Sequence, residues 1–328
     1  MAEAPLVSVT VLNWNGRHML EACLAALRAQ TFRDFEVIVV DNSSTDGSAE
    51  WVAAACPEAR LIRLESNQGF SAGNNAGMRA ARGRYLALLN NDAEADPGWL
   101  AALVGALEAH PAAGACDSTV YFHDRPDQLW AAGGEYTISG GVLHRGYGRQ
   151  AADGDPAAEA DVFIAIACAV LYRREALDKV GLFDEDYFNG YEDVDLSFRL
   201  HAAGYRVLNA PGAVVRHRVS QTTKVNSPFY VFHGQKNVLE TFVKNMPGAL
   251  LIKYGPLHLA YTLGALAYFA RRGRLGAALG GKWYVLRHWG RLMAKRRETQ
   301  RLRVASAAEL EKKLSRAWLR PKIDKLLT

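Results

Sequence analysis

VSVTVLNWNG (residues 7–16) and FEVIVVDNSSTDGS (residues 35–48) each run from a β-branched apolar core straight into a polar, glycine-bearing tip. Similar apolar runs stand at residues 60–64 and 85–89, so four strands are predicted in the first hundred residues. The second and fourth are nearly continuously apolar, as strands covered on both faces are. Between the runs, Leu20, Leu24 and Leu27 keep helical spacing, as do Trp99, Leu103 and Leu107. Strands alternating with helices predict an α/β fold on a doubly wound, mostly parallel sheet. Such sheets bind ligands beyond the carboxyl ends of their strands, so chemistry is expected at the polar tips.

Outward from this core the text changes twice. Residues 112–160 loosen into glycine-rich sequence and support only short strands. Regularity returns with an apolar run at 162–172, a helix near 174–180, an acidic loop, a helix from 192 to about 203, and strands at 205–208 and 213–215. Residues 254–270 lack charge but number only 17 and contain Gly255, Pro256 and His258, which is short of the roughly 20 apolar residues a spanning helix needs. Beyond them Arg271, Arg272, Arg274, Lys282, Arg287, Arg291, Lys295, Arg296 and Arg297 interleave with Trp283, Tyr284, Leu286, Trp289 and Leu292. This pattern predicts an interfacial amphipathic helix pair within a basic helical C-terminal extension.

Composition narrows the class. With 49% hydrophobic and 22% charged residues, the 328-residue chain is neither disordered, collagenous nor coiled-coil. Cys23, Cys56, Cys116 and Cys168 form no CxxC pair, which predicts reduced thiols in the cytoplasm over a disulfide framework or zinc site. No signal peptide is expected in residues 1–12. Residues 1–247 hold 21 Lys and Arg against 30 Asp and Glu, while residues 248–328 hold 18 against 4. An acidic body with a basic tail argues against nucleic-acid binding over the whole surface and leaves the tail to meet phosphates, lipid headgroups or RNA.

Six clusters could carry chemistry. Asn13 and Asn15 follow strand one, and Asp41 follows strand two, where a carboxylate can accept hydrogen bonds from a ribose or a base. Asp46 and Ser48 suit helix capping as well. NQGFSAGNNAG (67–77) brings Asn67, Gly69 and Ala72, with glycines at four-residue spacing that permit close packing or approach of a nucleotide's base and sugar. LLNNDAEADPGWL (88–100) sets Asn91 and Asp92 at the end of a buried strand, suited to Mg²⁺ or Mn²⁺ or simply to a turn. Glu192, Asp193 and Asp195 open a helix, where the macrodipole favours acids and where a positioned carboxylate can deprotonate a sugar hydroxyl. His217, between Arg216 and Arg218 at a strand end, could serve the same metal or a diphosphate.

VSVTVLNWNG, VVDNSSTDGS, NQGFSAGNNAG, LLNNDAEADPGWL, VGLFDEDYFNGYEDVDLSFRLHAAGY (180–205) and KRRETQRLRVAS (295–306) together resemble glycosyltransferase family 2, and its rhamnosyltransferase-like bacterial members most. The resemblance implies the A-type glycosyltransferase fold and an inverting transfer of a sugar, rhamnose or another hexose, from a nucleotide-diphosphate donor in cell-envelope polysaccharide synthesis. It implies dTDP-rhamnose first and a UDP-sugar second as donor, with a hydroxyl of a saccharide or a polyprenyl-diphosphate-linked molecule as acceptor. Residues 1–110 would be the nucleotide-sugar-binding half, residues 111–246 the acceptor-binding and catalytic half, and residues 247–328 the tail, set against an anionic membrane surface at the inner face of the cell membrane. Asp41 would meet the donor's base or ribose, with Asn13, Asn15, Asn67, Gly69, Ala72 and Asn91 completing the pocket. Asp92 would end the DxD-type metal motif with His217 beside it, and Asp193 would be the base with Glu192 as neighbour. This chain departs from the family at Asn90, the first motif position, and at Ala165–Ala169, so acceptor identity does not transfer. Two other readings share the sheet. A sugar-1-phosphate nucleotidyltransferase would want a basic glycine-rich loop early on, which Arg17 alone does not make, and a non-catalytic nucleotide-binding scaffold would need no base at all.

Overall fold

The computed structural model describes residues 4–150, 160–219 and 226–317. The first hundred residues form the expected alternation: β1 (Val7–Asn13), α1 (Arg17–Arg28), β2 (Phe35–Asp41), α2 (Ser48–Ala55), β3 (Ala59–Arg63), α3 (Gly69–Ala80), β4 (Tyr85–Leu89), a short β5 (Ala93–Ala95) and α4 (Trp99–Ala109). There follow β6 (Ala113–Phe122), β7 (Leu129–Ala132), β8 (Gly134–Tyr136), β9 (Val142–His144), β10 (Ala160–Asp161), β11 (Ala169–Arg173), α5 (Arg174–Val180), α6 (Glu192–Ala202) and β12 (Arg206–His217). The chain then turns helical: α7 (Pro228–Asn245), α8 (Gly248–Arg271), α9 (Leu275–Arg287), α10 (Trp289–Arg301) and α11 (Ala307–Lys313).

One sheet runs in the order β10-β12-β6-β11-β4-β1-β2-β3, with β5 added to β12 and β7 to β6. β1 to β4 run parallel, as do β6 and β12, and β11 is antiparallel to both its neighbours. The carboxyl ends of β1, β2, β4, β6 and β12 and the amino end of β11 therefore share one edge. Leu20, Leu24, Leu27, Trp99, Leu103 and Leu107 are all buried against the sheet, as their spacing predicts.

Three expectations change. The loosened stretch holds β6, a central ten-residue strand, because its buried positions are small or polar, among them Gly114, Asp117, Ser118 and Thr119, rather than an apolar run. The apolar run at 162–172, which reads as one regular stretch, is strand only from Ala169, and residues 162–168 belong to no named strand. The two strands expected at 205–208 and 213–215 are one, β12, whose register shifts between Ala210 and Val214, where Pro211 supplies no N–H.

The tail is docked. Lys295 pairs with Asp184 and Asp186, Arg291 pairs with Asp186, Lys282 donates to the Gln235 carbonyl at 2.8 Å, and Arg296 caps the end of α7 through the Met246 carbonyl at 2.7 Å. Leu292 is buried, and the Tyr284 ring packs against Phe232 of α7. Those basic and apolar groups, expected at an interface with lipid, hold the extension to the body.

α3 lies close on β1 because of its glycines: a Cβ at Gly73 would stand 2.5 Å from Leu12 and one at Gly77 2.3 Å from Thr10. Gly69 has φ +81° and faces the Phe188 carbonyl, which a Cβ would meet at 2.5 Å. Gly69→Ala is expected to cost about 3 kcal/mol of stability, read by denaturant unfolding. A loss below about 0.5 kcal/mol would contradict this packing.

Two buried histidines make the fold acid-sensitive. Burial holds His201 and His258 down to about 4, with Lys313 also disfavouring charge on His201. Between pH values of about 6.5 and 4 the unfolded chain binds protons that the folded chain refuses, so stability falls as pH falls. The loss should be about 1 kcal/mol per histidine at a pH of about 5.5. His201→Gln and His258→Gln should each flatten the decline of the unfolding midpoint from neutral to mildly acidic pH.

Candidate active site

Register brings the first polar tips together, since Asn13 and Asp41 are partners at the ends of β1 and β2. Asn13 is fully buried, accepts from Asn91 Nδ2 at 2.7 Å and donates to Ser44 Oγ at 3.2 Å. Asp41 is buried too. One of its oxygens accepts from Ser44 N–H at 3.2 Å, and the other has no partner. A buried carboxylate oxygen left without a donor suits a ligand N–H or O–H.

The other donor-side residues are engaged with their own loops. Asn15, at φ +51°, accepts from Thr45 N–H at 2.8 Å. Asn67 accepts from Asn42 Nδ2 and from Gly69 N–H, both at 2.9 Å, and so shapes the start of α3. Ala72 is half-buried one turn later. Asp46 accepts from Ser48 N–H at 3.1 Å and Arg17 N–H at 3.0 Å, which ties it to the first residue of α2, although the N-cap there is Gly47 and not Asp46 or Ser48.

β5 pairs with the end of β12, setting Ala93 opposite His217. As a result Asp92 Oδ1 and His217 Nε2 lie 3.0 Å apart, both side chains buried. Burial alone would lower the imidazole, but the Cys168 thiol and the Asp92 carboxylate beside it raise it to about 10. Burial pushes the Cys168 thiol up, so the negative partner is Asp92. His217 Nδ1 is buried without a partner. Glu94, bonded to His123 at 3.1 Å and Arg218 at 2.9 Å, collars the pair. Among the described residues no three His, Cys, Asp or Glu side chains converge as a complete metal cage. One carboxylate with one imidazole nevertheless suits Mg²⁺ or Mn²⁺, which keep water and substrate phosphate as remaining ligands.

Asp193 stands in the first turn of α6, after Tyr191 at φ +74°. Its oxygens accept from Val194 N–H at 2.8 Å and Ala167 N–H at 3.3 Å, and burial raises its pKa. Glu192 is buried with Oε2 unpaired, and burial together with Asp193 keeps it well above the carboxylate range. Asp195 faces the other way, bound by Arg199 at 2.9 Å and by Lys244 and Asn245 at 2.8 Å, as a structural residue would be. The two halves of the site meet through consecutive residues: Ala167 N–H bonds Asp193, and the Cys168 carbonyl accepts from Asn90 N–H at 2.8 Å. Asp92 and Asp193 thus flank one loop at one edge of the sheet.

Two residues escaped the sequence reading. Asp117, on β6, is fully buried with neither oxygen paired, and burial raises its pKa well above the carboxylate range. Trp130, on β7, packs edge-on against His217 with ring centroids 5.1 Å apart, and His144 packs on its other side at 4.5 Å. A tryptophan inside glycine-rich text was the available signal.

The family model described as glycosyl transferase family 2 matches residues 8–181, and that of glycosyl transferase family group 2 matches residues 159–272. The chain is 31% identical over 242 residues to N-acetylglucosaminyl-diphospho-decaprenol L-rhamnosyltransferase of Mycobacterium tuberculosis, covering 67% of this chain and 77% of that one. It is 30% identical over 235 residues to the uncharacterized protein y4gI of Sinorhizobium fredii, covering 67% of this chain but only 25% of that longer one. Among solved structures, the mannosyltransferase PcManGT of Pyrobaculum calidifontis, in complex with GDP-Man and Mn²⁺, superposes with a TM-score of 0.55 at 20% identity, over 91% of this chain and 86% of that one. That likeness bears out the A-type glycosyltransferase fold, and the family match together with the mycobacterial relative shows that the chain belongs to glycosyl transferase family 2.

Proposed function

We propose that the protein is a metal-dependent inverting glycosyltransferase of envelope polysaccharide synthesis, acting on a saccharide or polyprenyl-diphosphate-linked acceptor at the inner face of the cell membrane. The observation that carries the reading is that the consecutive residues Ala167 and Cys168 bond Asp193 and Asn90, which sets the candidate base and the tip bearing Asp92 on one sheet edge. The decaprenol-linked substrate named for the mycobacterial relative supports the acceptor class, and its rhamnosyl transfer favours dTDP-rhamnose ahead of a UDP-sugar.

In this reading the free oxygen of Asp41 takes a donor from the base or ribose, with Asn13, Asn15, Asn67, Gly69, Ala72 and Asn91 forming the pocket wall. Asp92 and His217 would hold Mg²⁺ or Mn²⁺ beside the diphosphate of the donor. The ion supplies neutralisation of charge growing on the leaving nucleoside diphosphate. Asp193 takes the proton of the acceptor hydroxyl, whose oxygen attacks the anomeric carbon in line and inverts it. Burial and the neighbouring Asp193 raise the Glu192 pKa, which disfavours a second negative charge in the pocket. No covalent intermediate is needed, so none of the four buried cysteines is called on as a nucleophile. Residues 1–110 carry the donor side and residues 111–246 the acceptor side of this single sheet. A panel of nucleotide sugars titrated with and without Mg²⁺ tests the reading: metal-dependent binding of one or more is expected, and none binding would overturn it.

A further inference from the structure

We propose that the outer face of α8 and α9 is a docking surface for an anionic lipid bilayer. Twelve large apolar side chains are exposed among the described residues, and eight of them are Ile252, Leu259, Leu263, Leu275, Leu279, Trp283, Leu286 and Trp289. Those on α8 recur at seven and eleven residues, and those on α9 at four, eight and eleven, so each helix offers one continuous apolar stripe. The opposite faces, with Tyr254, His258 and Ala265 on α8 and Ala278 and Val285 on α9, are buried against the protein.

Charge selects the occupant. Residues 248–297 contain ten Lys and Arg and no Asp or Glu. Lys282, Arg291, Lys295 and Arg296 are spent on the body, but Arg271 and Arg272 at the α8–α9 turn and Arg287 at the end of α9 are exposed beside the stripes. A second copy would bring the same positive rim and repel. Anionic headgroups neutralise it, and tryptophans such as Trp283 and Trp289 favour the boundary between headgroup and acyl chain. No helix among the described residues is long and apolar enough to cross a membrane, so the face lies on the bilayer.

The inner side of α8 reaches the candidate base. His258 hydrogen bonds the Ser139 carbonyl at 2.8 Å, and the Tyr191 hydroxyl reaches the next carbonyl, Gly140, at 3.5 Å. Tyr191 is two residues from Asp193, so α8 itself, about 10 Å thick, the 139–140 turn and the Tyr191 side chain lie between the bilayer face and the turn that carries the base. Resting on the proposed lipid-linked acceptor, this contact chain ties the bilayer face to the turn that carries the base.

The test is co-sedimentation of the full chain with vesicles of phosphatidylglycerol and phosphatidylcholine, against phosphatidylcholine alone, at low and high salt. Binding to the anionic vesicles is expected. Trp283→Glu combined with Leu286→Glu should lower it at least about tenfold at both salts, and Arg271→Ala with Arg272→Ala about tenfold at low salt only. These side chains are exposed, and unchanged thermal melting will show that the variants fold. Undiminished binding by the glutamate variant, or equal binding to neutral vesicles, overturns the proposal. So does a homodimer dispersed by the glutamate pair in a chain that ignores vesicles. The readout contains no substrate, so failure here leaves the transferase reading intact, and loss of transfer to a water-soluble acceptor tests that reading separately.

Discussion

Asp193→Asn lowers turnover at saturating donor by about 10²-fold or more and leaves donor affinity within about twofold. The amide matches the carboxylate in shape, so its oxygen can keep the 2.8 Å bond from Val194 N–H. What it lacks is the lone pair that takes the hydroxyl proton. The amide nitrogen turns towards Ala167 N–H and forfeits that second bond, a cost of about 1 kcal/mol in stability that thermal melting will register. Helix α6 itself stays anchored through Asp195 to Arg199, Lys244 and Asn245. The pH profile adds an independent readout. Burial raises the Asp193 pKa in the fold, so the ionised base is lost, as pH falls, at a pH above that of an ordinary aspartate. The wild-type acidic limb should lie there and vanish from the residual activity of the variant. Turnover equal to wild type would falsify the assignment of Asp193 and move the search to Glu192 or Asp117.

The parts of this molecule that could be read from sequence are those in which apolar spacing and location coincide. β1, β2 and β4 are apolar runs ending in polar tips, and α1 and α4 bury the residues their spacing marks. β6 was hidden because a strand deep in a sheet can be built from glycine, alanine, serine and threonine when its neighbours supply the bulk. The resemblance marks Asp193 as the base and Asp195 as structural, and the partners that hold Asp195 are Arg199 on α6 and Lys244 and Asn245 on α7. Asn15 and Asn67 were legible as polar tips, but which hydrogen bonds they make depends on facing loops some 25 to 30 residues away. The tail divides for a similar reason. Arg291, Lys295 and Arg296 match Arg271 and Arg272 in composition, yet the first group meets acids and carbonyls of the body while the second meets solvent. Trp130 had no periodic context, and its place beside His217 follows from the pairing of β7 with β6.

Asp92→Ala removes the gain in donor affinity that Mg²⁺ confers, a change of about tenfold or more in the dissociation constant at saturating metal. Two effects separate in this variant. The first is on the fold: the His217 imidazole loses its 3.0 Å partner while remaining buried, and burial then drives it to the neutral form. Because a histidine can shed its proton, the stability cost is the lost hydrogen bond, about 1–3 kcal/mol, and not that of a stranded charge. The second is on the ligand set, since a neutral imidazole alone is a poor site for a hard cation that prefers oxygen. Asp92→Asn divides the two. Its amide oxygen can still accept from His217 Nε2, so stability should recover, yet it brings no negative charge and metal-dependent affinity should stay lost. Calorimetric titration of the nucleotide sugar, with Mg²⁺ and with chelator, reads the ligand effect, and denaturant unfolding reads the fold. If the asparagine variant regains both, Asp92 acts by orienting His217; if either variant still tightens on its donor when Mg²⁺ is added, as the wild type does, the ion is held elsewhere.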